Sequence, residues 1–429
     1  MRHIAYADGF VAIPSLKLSK EHGSNVFPHL ESVSLVNAGC LAPPAWIHSP
    51  LLTCVAVNLS FSRKPHSVLD RSAAVARFLP TLPHLHTLQL RGRMSDTLNA
   101  ALAALTQLRS LTVHTGDSLG CETFAAIVAF PALRTLEMHA SHIDADELED
   151  ALAQTMQEET AYFPVLEELS VRTNASLLAT LLARIPVGIL RKLSLDMDGE
   201  GSGAQVGPET RMKPVFELLA QKAAGALRDL LIEDRTVHDE EPDDTQGTGA
   251  PARGYAVDVL APLARVRQLR SFTLREPDLF DKDLETMARW WPALEHLDLG
   301  TPESGALEES EEPQLQHETD GAQAEPEVAY GKSQMTSEAY GIVARSFRFL
   351  ESLTLSAPPP CEVAAPEERA KFVTELRSLT VGKAGDATGK VDAPAVVDAL
   401  LSIFPTVKSM DCPEAEVSAR FEAVVAGRR

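Results

Sequence analysis

Aromatic residues are scarce in this chain. They make up 5% of 429 residues, with three tryptophans, so an interior of stacked rings is excluded and aliphatic side chains must carry the core. Cysteine is almost as sparse. Cys40, Cys54, Cys121, Cys361 and Cys412 are odd in number, scattered, and never paired as C-x-x-C. That argues against a disulfide framework and against a zinc site, and leaves free thiols, with Cys412 in a core position. No run of 18 apolar residues occurs, so no membrane span is expected. The opening MRHIAYADGF has no apolar core and does not read as a signal peptide. Positive charge is short too: 39 Lys and Arg face 60 Asp and Glu, a net −21 that disfavours nucleic acid as a partner. The nucleophile elbow, the zincin helix and the kinase signatures are all missing. These absences set the expectations of no enzyme activity, no cofactor, no metal, no membrane contact and a cytoplasmic or nuclear location.

What the chain does have is one phrase, repeated: apolar, two residues, apolar, one residue, apolar. It reads Leu30-Val33-Leu35, Leu52-Val55-Val57, Leu85-Leu88-Leu90, Leu108-Leu111-Val113, Leu133-Leu136-Met138, Leu166-Leu169-Val171 and Leu190-Leu193-Leu195. It goes on through Leu227-Leu230-Ile232, Leu269-Phe272-Leu274, Leu294-Leu297-Leu299, Leu350-Leu353-Leu355, Leu376-Leu379-Val381 and Val407-Met410-Cys412. Met1-Ile4-Tyr6 is a candidate fourteenth copy. The last two apolar positions alternate with polar residues, the period of a half-buried strand. Such short strands cannot stand alone. Stacked copies form a parallel sheet over a continuous aliphatic ladder, each buried leucine contributing about 1.5–3 kcal/mol.

The stretches between phrases read as helices. Leu98, Leu102 and Leu105 share a face after Ser95, a candidate N-cap. Leu148, Leu152 and Met156 follow Asp144, with Glu147 completing a capping-box pattern. Leu177, Leu178, Leu181, Leu182 and Ile185 follow Asn174; Leu284, Met287 and Trp290 form another stripe; Val396, Val397, Leu400 and Leu401 follow Pro394. Six times an apolar residue and a proline precede the phrase at a fixed offset, as in Phe27-Pro28, Leu82-Pro83, Phe130-Pro131, Phe163-Pro164, Trp291-Pro292 and Phe404-Pro405. Proline ends the helix and pushes its predecessor out of helical backbone, which launches the next strand.

These features resemble leucine-rich repeats of the strand-plus-helix kind over about residues 25–412. Six of the twelve spacings between copies lie between 22 and 26 residues. The usual Asn or Cys three residues after the phrase is clear only at Asn174. Irregular spacing, the missing Asn and the F-P-x-L entry look like the repeat region of fungal F-box/leucine-rich-repeat proteins, although no F-box is visible. The resemblance implies an α/β leucine-rich-repeat solenoid. Its expected form is an irregular horseshoe with the parallel sheet on the concave face and helices on the convex face, a single domain of 13–14 repeats over 1–429. It also implies a non-catalytic protein-recognition module, the substrate-binding part of an F-box-type ubiquitin-ligase receptor. The alternative is a regulatory leucine-rich-repeat scaffold, for example GTPase-regulating. A ligase adaptor is an expected partner only with an F-box upstream; otherwise the partner is an unidentified protein.

Three gaps exceed a normal repeat: 198–213, 234–256 and 300–336, rich in Gly, Pro, Glu and Gln and expected as disordered insertions. The stretch 301–331 holds nine acids and no Lys or Arg. Gly199-Glu200-Gly201-Ser202-Gly203 lacks the Lys-Ser/Thr continuation of a phosphate loop and is read as linker. Residues 413–427 suit a closing helix with Val417, Phe421, Val424 and Val425 inward. The front already fits a strand phrase, so the array is expected to begin in mid-stack, on a truncated gene model or against another surface.

The expected working surface is the polar face of the sheet. Residues before, between and after the last two apolar positions point outward together. Gln89, Arg91, His114, Glu137, His139, Glu168, Arg172, Lys192 and Asp196 are the candidate partner-binding residues, a partly basic strip on an acidic chain. Such a strip suits an extended acidic or phosphorylated peptide. His139 and His142 form an H-x-x-H without further ligands at metal spacing, and are read as solvated imidazoles.

Overall fold

The computed structural model describes residues 2–7, 27–36, 49–61, 65–155, 161–198, 208–234, 254–275, 277–300, 334–382 and 392–427. They belong to two compact units, Met1–Ser202 with Gln221–Leu227, and Gly203–Ala220 with Arg228–Arg429.

The first unit alternates strands and helices. Its strands are β1 (His3–Ala7), β2 (Ser32–Val36), β3 (Cys54–Asn58), β4 (Thr87–Arg91), β5 (Ser110–His114), β6 (Thr135–His139), β7 (Glu168–Thr173) and β8 (Lys192–Met197). Its helices are α1 (Pro65–Phe78), α2 (Asp96–Ala103), α3 (Cys121–Val128), α4 (Ala145–Thr155) and α5 (Ala175–Arg184). Each strand pairs in parallel with the next in sequence, phrase against phrase: Val33 faces Val55, Leu88 faces Leu111, Leu136 faces Leu169. Ile4 faces Val33, so the fourteenth copy is a strand as well. The helices form a second layer, each resting on its neighbour from α1 to α5.

In the second unit α6 (Pro208–Ala223) contributes its residues up to Ala220. The strands are β9 (Asp229–Asp234), β10 (Ser271–Leu274), β11 (His296–Asp298), β12 (Ser352–Leu355), β13 (Ser378–Val381) and β14 (Ser409–Asp411). The remaining helices are α7 (Val257–Leu260), α8 (Asp281–Trp290), α9 (Glu338–Ser346), α10 (Pro366–Arg369), α11 (Ala393–Ile403) and α12 (Ala415–Gly427). Pairing is again parallel and sequential, from β9 to β14.

The phrase residues are the core. From Leu30 to Val407 the ladder positions are buried, and in the last copy Met410 is half-buried while Cys412 is buried. Burial pushes the Cys412 thiol up to about 12. Turns place each strand. The N–H of the first leucine donates to the carbonyl three residues back, Leu30 to Phe27 at 3.1 Å, Leu166 to Phe163 at 3.3 Å and Leu294 to Trp291 at 3.2 Å. Proline in the second position of this turn presets its backbone. Caps fall where the spacing puts them: Ser95 accepts from Leu98, Asn174 from Leu177, and Asp144 from Asp146 and Glu147. At Gly92, with φ +102, a Cβ would lie 2.6 Å from the carbonyl oxygen of Ser60, so adjacent coils touch backbone to backbone there.

Two expectations need correction. At the end of α8 it is Trp291, the residue just past the helix, that enters the core, donating its indole N–H to the Leu263 carbonyl at 3.1 Å, while Trp290 is half-buried. The predicted insertions 198–213, 234–256 and 300–336 are too long: α6 starts at Pro208, Asp234 closes β9, and Tyr255 and Met335 are buried. Residues 199–207, 235–253 and 301–333 of the predicted insertions lie outside the described residues. Each unit thus has the α/β leucine-rich-repeat fold, a parallel sheet of phrase strands backed by a helical layer.

Candidate partner-docking face

Inward leucines fix what faces out. With Leu88 and Leu90 buried, Thr87, Gln89 and Arg91 must project from the other side of β4, and the same parity holds on the strands beside it. Register then aligns three columns in the first unit. One runs Thr87, Ser110, Thr135, Glu168, Lys192; the next Gln89, Thr112, Glu137, Ser170, Ser194. In the third, Arg91 pairs with His114, and His139 with Arg172 and then Asp196. All nine candidate residues therefore lie on one sheet face, across β4 to β8. Gln89, Arg91, Glu168 and Lys192 are exposed; the other five are half-buried.

The third column is where they meet. The imidazoles of His114 and His139 stack with ring centroids 4.1 Å apart and planes 19° from parallel. His114 Nε2 lies 3.1 Å from Glu137 Oε1. That approach is off-axis for a hydrogen bond, so it becomes an attraction only when the ring is protonated. Glu137 also accepts from Thr112 at 3.3 Å. On the far side of His139, Arg172 grips Asp198 in two-pronged fashion, Nε to Oδ2 at 2.8 Å and Nη2 to Oδ1 at 2.7 Å, and stands 3.8 Å from Asp196. Ser141 donates to the same Asp198. Burial, then the neighbouring His114 and Arg172, push the His139 imidazole below its ordinary value; Asp196 and Asp198 oppose them.

The strip is consequently less basic than its composition suggests. Arg172 is bound to an acid that the outward-column reading left out, because Asp198 stands beyond the end of β8. The cationic side chains of this face without an ion-pair partner among the described residues are Arg91 and Lys192, joined at the strand entrances by Arg109. Arg134 and Arg191 at those entrances both reach Glu167, at 3.1 and 3.9 Å. This entrance row was also missed; its signal was the residue following the first leucine of each phrase. His142 does not join His139: its Nε2 lies 3.0 Å from the Leu119 carbonyl. Among the described residues no group of three His, Cys, Asp or Glu is placed to hold a metal ion, and no helix is long and apolar enough to cross a membrane.

No protein-family model and no curated protein sequence matches this chain. Solved structures do. The crystal structure of the Rad7 and Elc1 complex in yeast is similar over 94% of this chain and 84% of that one, at 13% identity and a TM-score of 0.44. The TLR13-ssRNA13 complex is similar over 96% of this chain and 49% of that one, at 14% identity and a TM-score of 0.47. An internalin (inlF) from Listeria monocytogenes str. 4b F2365 is similar over 70% of this chain and 61% of that one, at 14% identity and a TM-score of 0.30.

Proposed function

We propose that the chain is a non-catalytic protein-recognition module whose sheet face across β4 to β8 docks an extended segment of a partner protein. One observation carries this reading: polar side chains in three aligned columns, held at fixed height by a fully buried aliphatic ladder beneath. Rows spaced about 4.8 Å apart match strand separation and suit side-chain-by-side-chain reading of a peptide. A photo-crosslinking residue placed at the exposed Gln89 is expected to capture the partner, and one at the exposed Glu122 on α3 is not. Equal capture from both positions, or capture from Glu122 alone, would remove the sheet face as the docking surface.

The finer reading makes the partner a substrate for ubiquitin transfer, with this chain as the substrate-binding part of an F-box-type receptor. Its support is the irregular spacing, the missing Asn and the F-P-x-L entry. Association of the ligase adaptor with a longer gene product, but not with residues 1–429, is the expected outcome; adaptor binding by neither would end it.

A further inference from the structure

We infer that Arg91, His114 and His139 form an anion subsite on this face, which binds a carboxylate or phosphoryl group of the docked segment and takes up a proton in doing so. The inference rests on the sheet-face reading and names the chemistry of its partner. The three residues stand on consecutive strands, β4, β5 and β6, at the same height. Arg91 is exposed and has no ion-pair partner among the described residues. Beside it stand the two stacked rings, a pair of ionisable nitrogen heterocycles of which His139 is held below its ordinary value.

Burial is the first cause, and the charged groups facing the rings act on top of it. Glu137, from β6 itself, lies 3.1 Å from His114 Nε2. Arg172 on β7 adds positive charge next to His139, while Asp196 on β8 and Asp198 beyond it are engaged with Arg172. Two imidazolium rings 4.1 Å apart repel, and the Arg172 guanidinium adds to the cost. With the face empty, burial first and then these neighbouring charges hold His139 below its ordinary value, and so mostly neutral around pH 7. An anion arriving between Arg91 and the ring pair adds negative charge beside the rings and offsets the cost of protonating them. Protonation then favours binding, and by reciprocity binding favours protonation. Arg91 contributes charge at every pH; the rings contribute more as pH falls. An uncharged polar segment gains nothing from either.

Calorimetric titration of the whole chain tests this with three synthetic peptides of one length, alternating glycine with glutamate, with phosphoserine or with glutamine. Between pH 8 and pH 6 the glutamate peptide is expected to bind about tenfold tighter, with proton uptake read from buffers of different ionisation enthalpy. Below about pH 6 its affinity keeps rising, whereas the phosphoserine peptide levels off as its own second ionisation is reversed; whichever binds tighter identifies the anion source. His139→Gln and His114→Gln should each flatten the pH dependence. Arg91→Gln should weaken binding about tenfold at all pH values, and His142→Gln should change nothing. Circular dichroism of each variant confirms the fold. Equal affinity for the glutamine peptide, a pH-independent affinity, or an unchanged pH profile in both histidine variants would overturn the subsite. If crosslinking from Gln89 still captures a partner while no acidic peptide binds, the subsite fails and the docking face stands. If that crosslink fails as well, the docking face itself is wrong.

Discussion

Asp234 ends β9 with no side-chain surface in contact with water. A carboxylate buried that deeply needs partners: Arg211 Nη2 donates to it at 2.7 Å and the Tyr255 hydroxyl at 2.8 Å. Burial and the adjacent carboxylate push the Tyr255 phenol far above its ordinary value, so it serves as a permanent donor. Asp234→Ala removes the buried acceptor that the Arg211 guanidinium and the Tyr255 hydroxyl share, at a cost of about 3–5 kcal/mol. Tyr255→Phe keeps the ion pair and should lose about 1 kcal/mol. Urea denaturation followed by tryptophan fluorescence separates the two. His139 allows a second prediction, with its sign worked out. Its pKa is lower in the folded chain than the ordinary 6.5, so the unfolded chain binds the extra proton first. Stability is thus fully present above pH 6.5 and declines as pH falls from there toward the folded value. Thermal melts of His139→Gln should decline less than those of the parent between pH 7 and pH 5.5.

Between elements, Asn99 shows how neighbouring coils are tied. From α2 its amide donates to the Ser118 carbonyl at 2.9 Å and accepts from the Gly120 N–H at 3.0 Å, just where α3 begins. Gly120 offers α3 no side-chain cap, so the cap-like contact is borrowed from the preceding coil. Asn99→Ala should therefore cost about 1–3 kcal/mol and speed amide exchange in the first turn of α3 while leaving the first turn of α5, which has its own Asn174 cap, unaffected. Hydrogen exchange resolved by residue reads that difference. The recurring turn before each strand is of the same kind. Its hydrogen bond and its proline act locally, which is why the strand starts were readable from Phe27-Pro28 and its five counterparts, whereas the contact made by Asn99 was not.

At the scale of the molecule, charge and pattern part company. The sheets and helices were legible because burial of aliphatic residues at fixed spacing is a local, repeated signal, the same on each rung. Side-chain pairings that cross rungs left no such signal. Asp198 reaches back to Arg172 from a stretch whose composition reads as linker, and Arg211 and Tyr255 sit inside windows, 198–213 and 234–256, that polar composition marked as insertion. All nine candidate positions could be placed on one face by parity alone, but which of their charges are spoken for depends on rotamers and on acids elsewhere in the chain. The net charge of −21 is a property of the whole chain. Solubility should be lowest near the isoelectric point of about 5.1, and turbidity measured from pH 8 to pH 4 checks this.

Strands that meet without offset also make this surface editable. A residue exchanged in one column keeps its height relative to the rungs on either side, since the leucines behind it, not the residue itself, set the spacing. Specificity can then be rewritten letter by letter, by selection or by design, with the scaffold left intact. Lengthening a loop between rungs leaves the text in place, whereas a single residue inserted within a strand would turn the remainder of that line to face the core.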